Sequence, residues 1–274
     1  MLIVNTVKAL KEAVLQLKNA GKTIGLVPTM GALHDGHLSL IRRAGEENDA
    51  VVVSIFVNPV QFNNQADLIA YPRMLEADVE KIGDLADVVF APSAEEVYAV
   101  PPTEKYDFGA LEQVMEGPQR PGHFNGVGII VKRLFDWTTP DRAYFGEKDY
   151  QQLLIIRSLV KQCGLSVQIV PCPIVREPNG LAMSSRNKRL TPEQFEVAAN
   201  IHRIMLASTQ LPDNTVVKAK EFVEKEINKI SDFELEYYEI ADKDTLQPTA
   251  TLQNAIGCIA VWCGGVRLID NIMY

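Results

Sequence analysis

This 274-residue sequence predicts an α/β protein, with a doubly wound parallel sheet over residues 1–175 and a smaller α+β domain over 176–274. Three observations carry that expectation. Short apolar strands alternate with amphipathic helices through the first two thirds of the chain, as βαβ crossovers in a parallel sheet require. AVVVSIFV at 50–57 is continuously apolar and β-branched, as in a strand covered on both faces. Beyond about residue 175 the order changes to helices followed by the strands FELEYYEIA (233–241) and AIGCIAVWC (255–263), the sign of a separate α+β layer.

Each element has its own signal. Thr6 caps a helix whose Val7, Leu10, Val14 and Leu17 share a face and which stops at Gly21. TIGLVP is the next strand, and Leu38, Leu40, Ile41 and Ala44 mark a second helix. After the strand at 50–57 come a helix around 73–83, the strand DVVFAP (87–92) and a helix around 126–137. RAYF (142–145), a helix over 149–163 and LSVQIVP (165–171) complete the sheet region. Thr191, Pro192 and Gln194 then spell a capped helix start, and a polar helix covers about 215–229.

Composition excludes several functions. Lysine and arginine total 27 against 35 acidic residues, a net charge of −8, which argues against a general grip on nucleic acid but not against a local basic pocket. No apolar run approaches the roughly 20 residues that span a bilayer. MLIVNTVKALKEAV lacks the basic start and small-residue cleavage site of a signal peptide, so a cytoplasmic location is expected. Cys163, Cys172, Cys258 and Cys263 form no CxxC pair and match no zinc spacing; reduced, buried thiols are expected.

The chemistry concentrates in PTMGALHDGH (28–37), which follows a strand and opens a helix and holds two of the four histidines. Gly31 and Gly36 have the G-x₄-G spacing of a phosphate loop, but His37 and Leu38 stand where that motif needs Lys and Ser/Thr. In a helical turn His34 and His37 share a face beside a helix N-terminus, where imidazoles can donate to phosphate oxygens. The competing reading has one histidine capping a carbonyl and the other on the surface. FVNPVQF places Gln61, a neutral amide that can bind a hydroxyl or a carboxylate, after the 50–57 strand. YFGEKDYQQL repeats the strand–glycine–helix arrangement, with Lys148 and Gln152 at i and i+4. A lysine there opposes the helix dipole, which points to an anion; pairing with Glu147 or Asp149 is the alternative. LAMSSRNKRL offers Ser184, Ser185, Arg186 and Arg189 as a clamp on a polyphosphate, or else as a polar linker. His123, between Gly122 and Gly126, reads as a loop residue near the site, and His202 as structural. Three motifs after three strands point to one sheet edge and to a polyphosphate with a small polar partner.

The ordered set PTMGALHDGHLSLI, FVNPVQF, YPR (71–73), RPGHFNGV, YFGEKDYQQL and MSSRN resembles the pantothenate synthetase (pantoate–β-alanine ligase) family of the HIGH-type nucleotidyltransferases, from residue 3 to the C-terminus. The resemblance implies a Rossmann-like first domain, a C-terminal lid domain, a cytoplasmic homodimer, and ATP with Mg²⁺. It implies pantothenate synthesis from pantoate and β-alanine through pantoyl adenylate, with release of pyrophosphate and then AMP. His37 and His34 would meet the phosphates, with His37 the proton donor, and Lys148 the α-phosphate. Ser184, Ser185 and Arg186 would hold the β,γ-phosphates. Met30, Gly31, Ala32, Leu33, Asp35 and Gly36, with Gly146, Glu147, Asp149, Val175 and Met183, would frame the ATP. Gln61 and Gln152 would bind pantoate, Gln61 also lying near β-alanine. The metal ligands stay unassigned, with Asp78 a candidate for an outer Mg²⁺ contact.

The chain departs from the family pattern in NNQADLIAYPR, where Asn63, Asn64 and Ala66 stand and only Asp67 of the usual acidic pair is kept. Other readings are a HIGH-type enzyme transferring AMP or CMP to a phosphate acceptor, a non-catalytic nucleotide sensor, and an aminoacyl-tRNA synthetase. The paired glutamines, the intact His34, His37, Lys148 and Arg186 set, and the acidic charge speak against them in turn.

Overall fold

The computed structural model describes Met1–Tyr274. In chain order the first elements are β1 (Leu2–Val4), α1 (Val7–Asn19), β2 (Ile24–Thr29), α2 (Asp35–Glu47), β3 (Ala50–Ile55), α3 (Gln65–Ala70) and α4 (Leu75–Ile82). Next are β4 (Val88–Phe90), α5 (Ala94–Val97), α6 (Glu116–Gln119), α7 (His123–Thr138), β5 (Arg142–Gly146), α8 (Tyr150–Gln162) and β6 (Gln168–Cys172). The last are α9 (Pro192–Ala198), α10 (Asn200–Ser208), α11 (Val216–Ile227), β7 (Phe233–Asp242), β8 (Ala255–Cys263) and β9 (Val266–Met273).

The six N-terminal strands form one sheet in the order β1-β4-β3-β2-β5-β6, with every pair parallel. From the edge strand β1 the chain passes to β2, winds outward through β3 to β4 beside β1, and then winds the other way from β5 to β6. The order therefore reverses between β2 and β5, the place where open α/β sheets bind ligands at their C-terminal ends. The three candidate motifs follow β2, β3 and β5, neighbours in this sheet, so they share that edge. The remaining strands make an antiparallel sheet, β7-β8-β9. The fold class read from the sequence is the one observed.

Two compact units result: Met1–Gly109 with Arg120–Glu147 and Ile155–Cys172, and Ala110–Gln119 with Lys148–Leu154 and Pro173–Tyr274. Val27, Leu33, Ile41, Val53, Val89 and Tyr144 are buried in the first. Met205, Val223, Ile227, Ile259 and Val261 are buried in the second, between its helices and sheet. Thr6 caps α1 by accepting from Ala9 N, and Thr191 with Gln194 forms the expected capping box on α9. All four cysteines are free; three are buried and Cys163 is half-buried. No helix is long and apolar enough to cross a membrane.

Buried ions brace the second unit. Arg267 donates to both oxygens of Glu116 at 2.7 and 2.9 Å and to Glu236 at 2.5 Å, and Tyr237 donates to Glu116 at 2.7 Å. Burial works against the Arg267 charge, but the two carboxylates outweigh it and raise its pKa. Arg176 is bidentate on Asp270, at 2.7 and 3.0 Å.

His202 lies beside that pair, its buried Nδ1 3.9 Å from Asp270 and without a hydrogen-bond partner. Burial first, and then Arg176, lower its pKa against the pull of Asp270. A depressed histidine contributes stability that is present above its ordinary pKa near 6.5 and lost as pH falls through the folded value. Acidification from about pH 7.5 to 5.5 should therefore destabilise the wild type more than His202→Gln, read from urea midpoints. Parallel pH dependences would show that His202 binds its proton equally in both states.

Candidate active site

The loop after β2 is shaped by carboxylate capture. Gly31 (φ 82°) and Ala32 (φ 51°) both take left-handed backbone, which turns consecutive N–H groups the same way. Asp78 on α4 accepts from Ala32 N at 2.8 Å and from Leu33 N at 2.7 Å. Asp78, buried, thus anchors the loop. Thr29 Oγ1 accepts from Gly31 N and donates to Ser54 O, tying the loop to β3. A cavity of about 320 Å³ opens on the β3 and β4 side of this turn, with Met30, Gly31, Arg73 and Asp78 in its wall.

His34 is the N-cap residue of α2 and His37 its third helical residue. His37 Nδ1 accepts from His34 N at 3.3 Å, the reach-back that Glu or Gln makes in a common capping box. The two rings lie 4.1 Å apart, centroid to centroid, tilted by 46°. A neutral imidazole that accepts at Nδ1 carries its proton on Nε2. His37 therefore presents its N–H away from its own backbone, at a helix N-terminus on the ligand-binding edge of the sheet.

Gln61 closes the 3₁₀ turn Pro59–Gln61 after β3 and is 7% exposed. Its Oε1 accepts from Asn58 Nδ2 at 3.1 Å, and its Nε2 donates to Met30 Sδ at 3.0 Å. The Gln61 carbonyl accepts from His123 Nδ1 at 2.8 Å. His123 is the first residue of α7, not a loop residue: after the left-handed cap Gly122 the helix starts three residues earlier than the pattern indicated. Gly126 lets α7 touch the turn, since a Cβ there would stand 2.6 Å from Val60 O and 2.8 Å from Gln61 Cα.

The second unit carries the other candidates. Lys148 lies in the 3₁₀ turn Glu147–Asp149, whose Lys148 carbonyl accepts from Asn271 Nδ2 at 3.1 Å. The adjacent glutamines differ: Gln151 is buried and bonded to Leu111 O, Val114 O and Glu116 N, whereas Gln152 is half-buried. Val175 O accepts from Met183 N, and the Arg176–Ala182 bridge continues this small hairpin. Ser184 caps the following turn, Ser185–Arg189, by accepting from Arg186 N at 3.2 Å. Asp270 and Asn271, neighbours on β9, thus hold the segment before Ser184 and the Lys148 turn respectively.

Residues 2–273 match the family model described as pantoate-beta-alanine ligase. The chain belongs to that family. The pantothenate synthetase of Phocaeicola vulgatus is 53% identical, with 100% of this chain and 99% of the relative covered. That of Bacteroides thetaiotaomicron is 50% identical over the same shares. The crystal structure of pantothenate synthetase from Thermus thermophilus superposes with a TM-score of 0.94 at 41% identity, covering 100% and 99% of the two chains. The Francisella tularensis pantoate-beta-alanine ligase, complexed with β-γ ATP and β-alanine, gives 0.84 at 36% identity, covering 100% and 97%. The chain is a pantoate–β-alanine ligase, an ATP-dependent enzyme that joins pantoate to β-alanine.

Within this ligase the structure brings His34 and His37 together, and it groups Lys148, Gln152, Val175, Met183 and Ser184–Arg186 in the second unit. Sequence reasoning missed Asn58, Asn271 and the anchoring role of Asp78. Only the position of Asn58, three residues before the 3₁₀ turn ends on Gln61 in FVNPVQF, carried a local signal.

Proposed function

We propose that the ligase acts through pantoyl adenylate, with the residues of the β2, β3 and β5 edge in the following roles. A pantoate carboxylate oxygen attacks the α-phosphorus of Mg-ATP, and the bond to the pyrophosphate oxygen breaks. The β-alanine amine then attacks the acyl carbon, loses its proton, and releases AMP. The first step needs in-line positioning and charge stabilisation rather than a protein nucleophile. His37 donates from Nε2 to the charge that builds on phosphate oxygens, with His34 beside it, and Lys148 neutralises the α-phosphate. Ser184, Ser185 and Arg186 hold the β,γ-phosphates and the departing pyrophosphate. Met30–Gly36, Gly146, Glu147, Asp149, Val175 and Met183 frame the nucleotide. Mg²⁺, which dehydrates reluctantly and favours phosphate oxygens, enters on the phosphates of its nucleotide. A cytoplasmic homodimer, with residues 176–274 as a lid domain, is the form proposed for the working enzyme.

The observation that carries this reading is the His37 ring, whose Nδ1 is committed to His34 N at the start of α2. Pantoate-dependent exchange of labelled pyrophosphate into ATP, without β-alanine, tests it. Exchange demonstrates a reversible adenylation step. Absence of exchange, with pantothenate still formed on adding β-alanine, would mean either a concerted route or pyrophosphate trapped on the enzyme.

Gln152→Ala should raise the KM for pantoate about tenfold and leave that for β-alanine within twofold, as expected when one hydrogen bond to a charged group is lost. A defect confined to β-alanine would reverse the assignment of the two subsites.

A further inference from the structure

Asn58 lies in the interior, 1% exposed, and every polar atom of its amide is engaged. Oδ1 accepts from Val60 N at 3.2 Å and from Tyr98 OH at 2.5 Å. Nδ2 donates to Gly126 O at 3.1 Å and to Gln61 Oε1 at 3.1 Å. A main-chain N–H can only donate and a main-chain carbonyl can only accept, so Val60 and Gly126 fix which end of the amide is oxygen. Asn58 then presents hydrogen to Gln61, and the Gln61 oxygen is drawn inward. What Gln61 turns toward Met30 is its NH₂. Thioether sulfur is a weak acceptor, so this amide keeps its donor strength for a better oxygen.

Tyr98 makes the shortest contact to Asn58 and is itself held from two sides. The Arg133 guanidinium lies 5.0 Å over the Tyr98 ring centroid while donating to Val97 O at 2.6 Å. The Phe56 ring packs 6.1 Å away, centroid to centroid. Burial raises the phenol pKa, which keeps it a donor across the working pH range.

We propose that Tyr98 is a positioning residue for pantoate: through Asn58 it holds the Gln61 amide with its NH₂ outward, so the group Gln61 recognises is an acceptor oxygen of the acid. This rests on the reading that Gln61 binds pantoate. It adds a specificity rule, since an acid offering only a donor at that point meets the amide with the wrong polarity.

The test is Tyr98→Phe, which removes one oxygen and leaves the ring between Arg133 and Phe56. The KM for pantoate should rise about five- to tenfold, while kcat and the KM for ATP stay within twofold. Gln61→Ala and the double variant complete a cycle. Acting through Gln61, the Tyr98→Phe effect should shrink to less than twofold in the Gln61→Ala background. An unchanged pantoate KM in Tyr98→Phe, with or without a lower melting temperature, overturns the proposal, as does an effect that persists in full without Gln61. A Gln61→Ala enzyme with normal pantoate KM would instead remove the subsite assignment itself.

Discussion

Replacing His37 with alanine should lower kcat by about 10²–10³-fold while changing the KM for ATP less than about threefold. The asymmetry follows from where the ring is aimed. His34 N–H occupies Nδ1, so the neutral ring has its one proton on Nε2 at the helix N-terminus. Ground-state ATP already carries its charges and binds through several groups, so losing one donor weakens binding little. Charge redistributes on the phosphate oxygens only as the α-phosphorus changes partners, and there a fixed donor is worth the most. The measurement is single-turnover formation of pantoyl adenylate alongside steady-state kinetics. An unchanged adenylation rate would take His37 out of the chemistry and leave it a helix cap.

Arg267→Met should destabilise the protein by about 3–5 kcal/mol. Arg267, Glu116 and Glu236 have side chains only 18%, 11% and 17% exposed. Removing the guanidinium leaves two largely desolvated carboxylates facing one another without their cation, and the loss is the cost of those charges. The companion Arg267→Met, Glu116→Gln should therefore recover much of the loss, because it removes a buried charge together with its partner. Urea denaturation of the wild type and both variants checks this. A loss below about 1 kcal/mol for Arg267→Met would mean that these ions are solvated like a surface pair.

How far the sequence could be read depended on whether a residue's partner was near it in the chain. Val27 and Val53 advertise a buried strand by their neighbours alone, and Thr6 and Thr191 find their capping partners three residues on. HDGH was legible because both histidines and the turn lie within one helical turn. β1 was missed, as three residues show no periodicity, and β9 was missed because Asp270 and Asn271 interrupt its apolar alternation with buried polar groups. Asp270 is paired with Arg176, 94 positions away, and Asn58 with Tyr98, 40 away. His123 looked like a loop because two glycines flank it; one starts the helix and the other lets it touch Gln61. Buried polar residues with distant partners leave no local pattern.

The pairing of Glu116 with Arg267 spans 151 positions, which bears on how the enzyme is made. When a ribosome has produced the first 120 residues, Glu116 exists but its cation is more than half the protein away from synthesis. Segment 110–119 belongs to a unit that is completed only by the final strand. The nascent chain must therefore carry Glu116 without its cation until Arg267 emerges. A stop codon at position 266 would strip Glu116 of Arg267, and Lys148 and Arg176 of their supports on β9. Small C-terminal truncations of this enzyme should thus be as damaging as large ones.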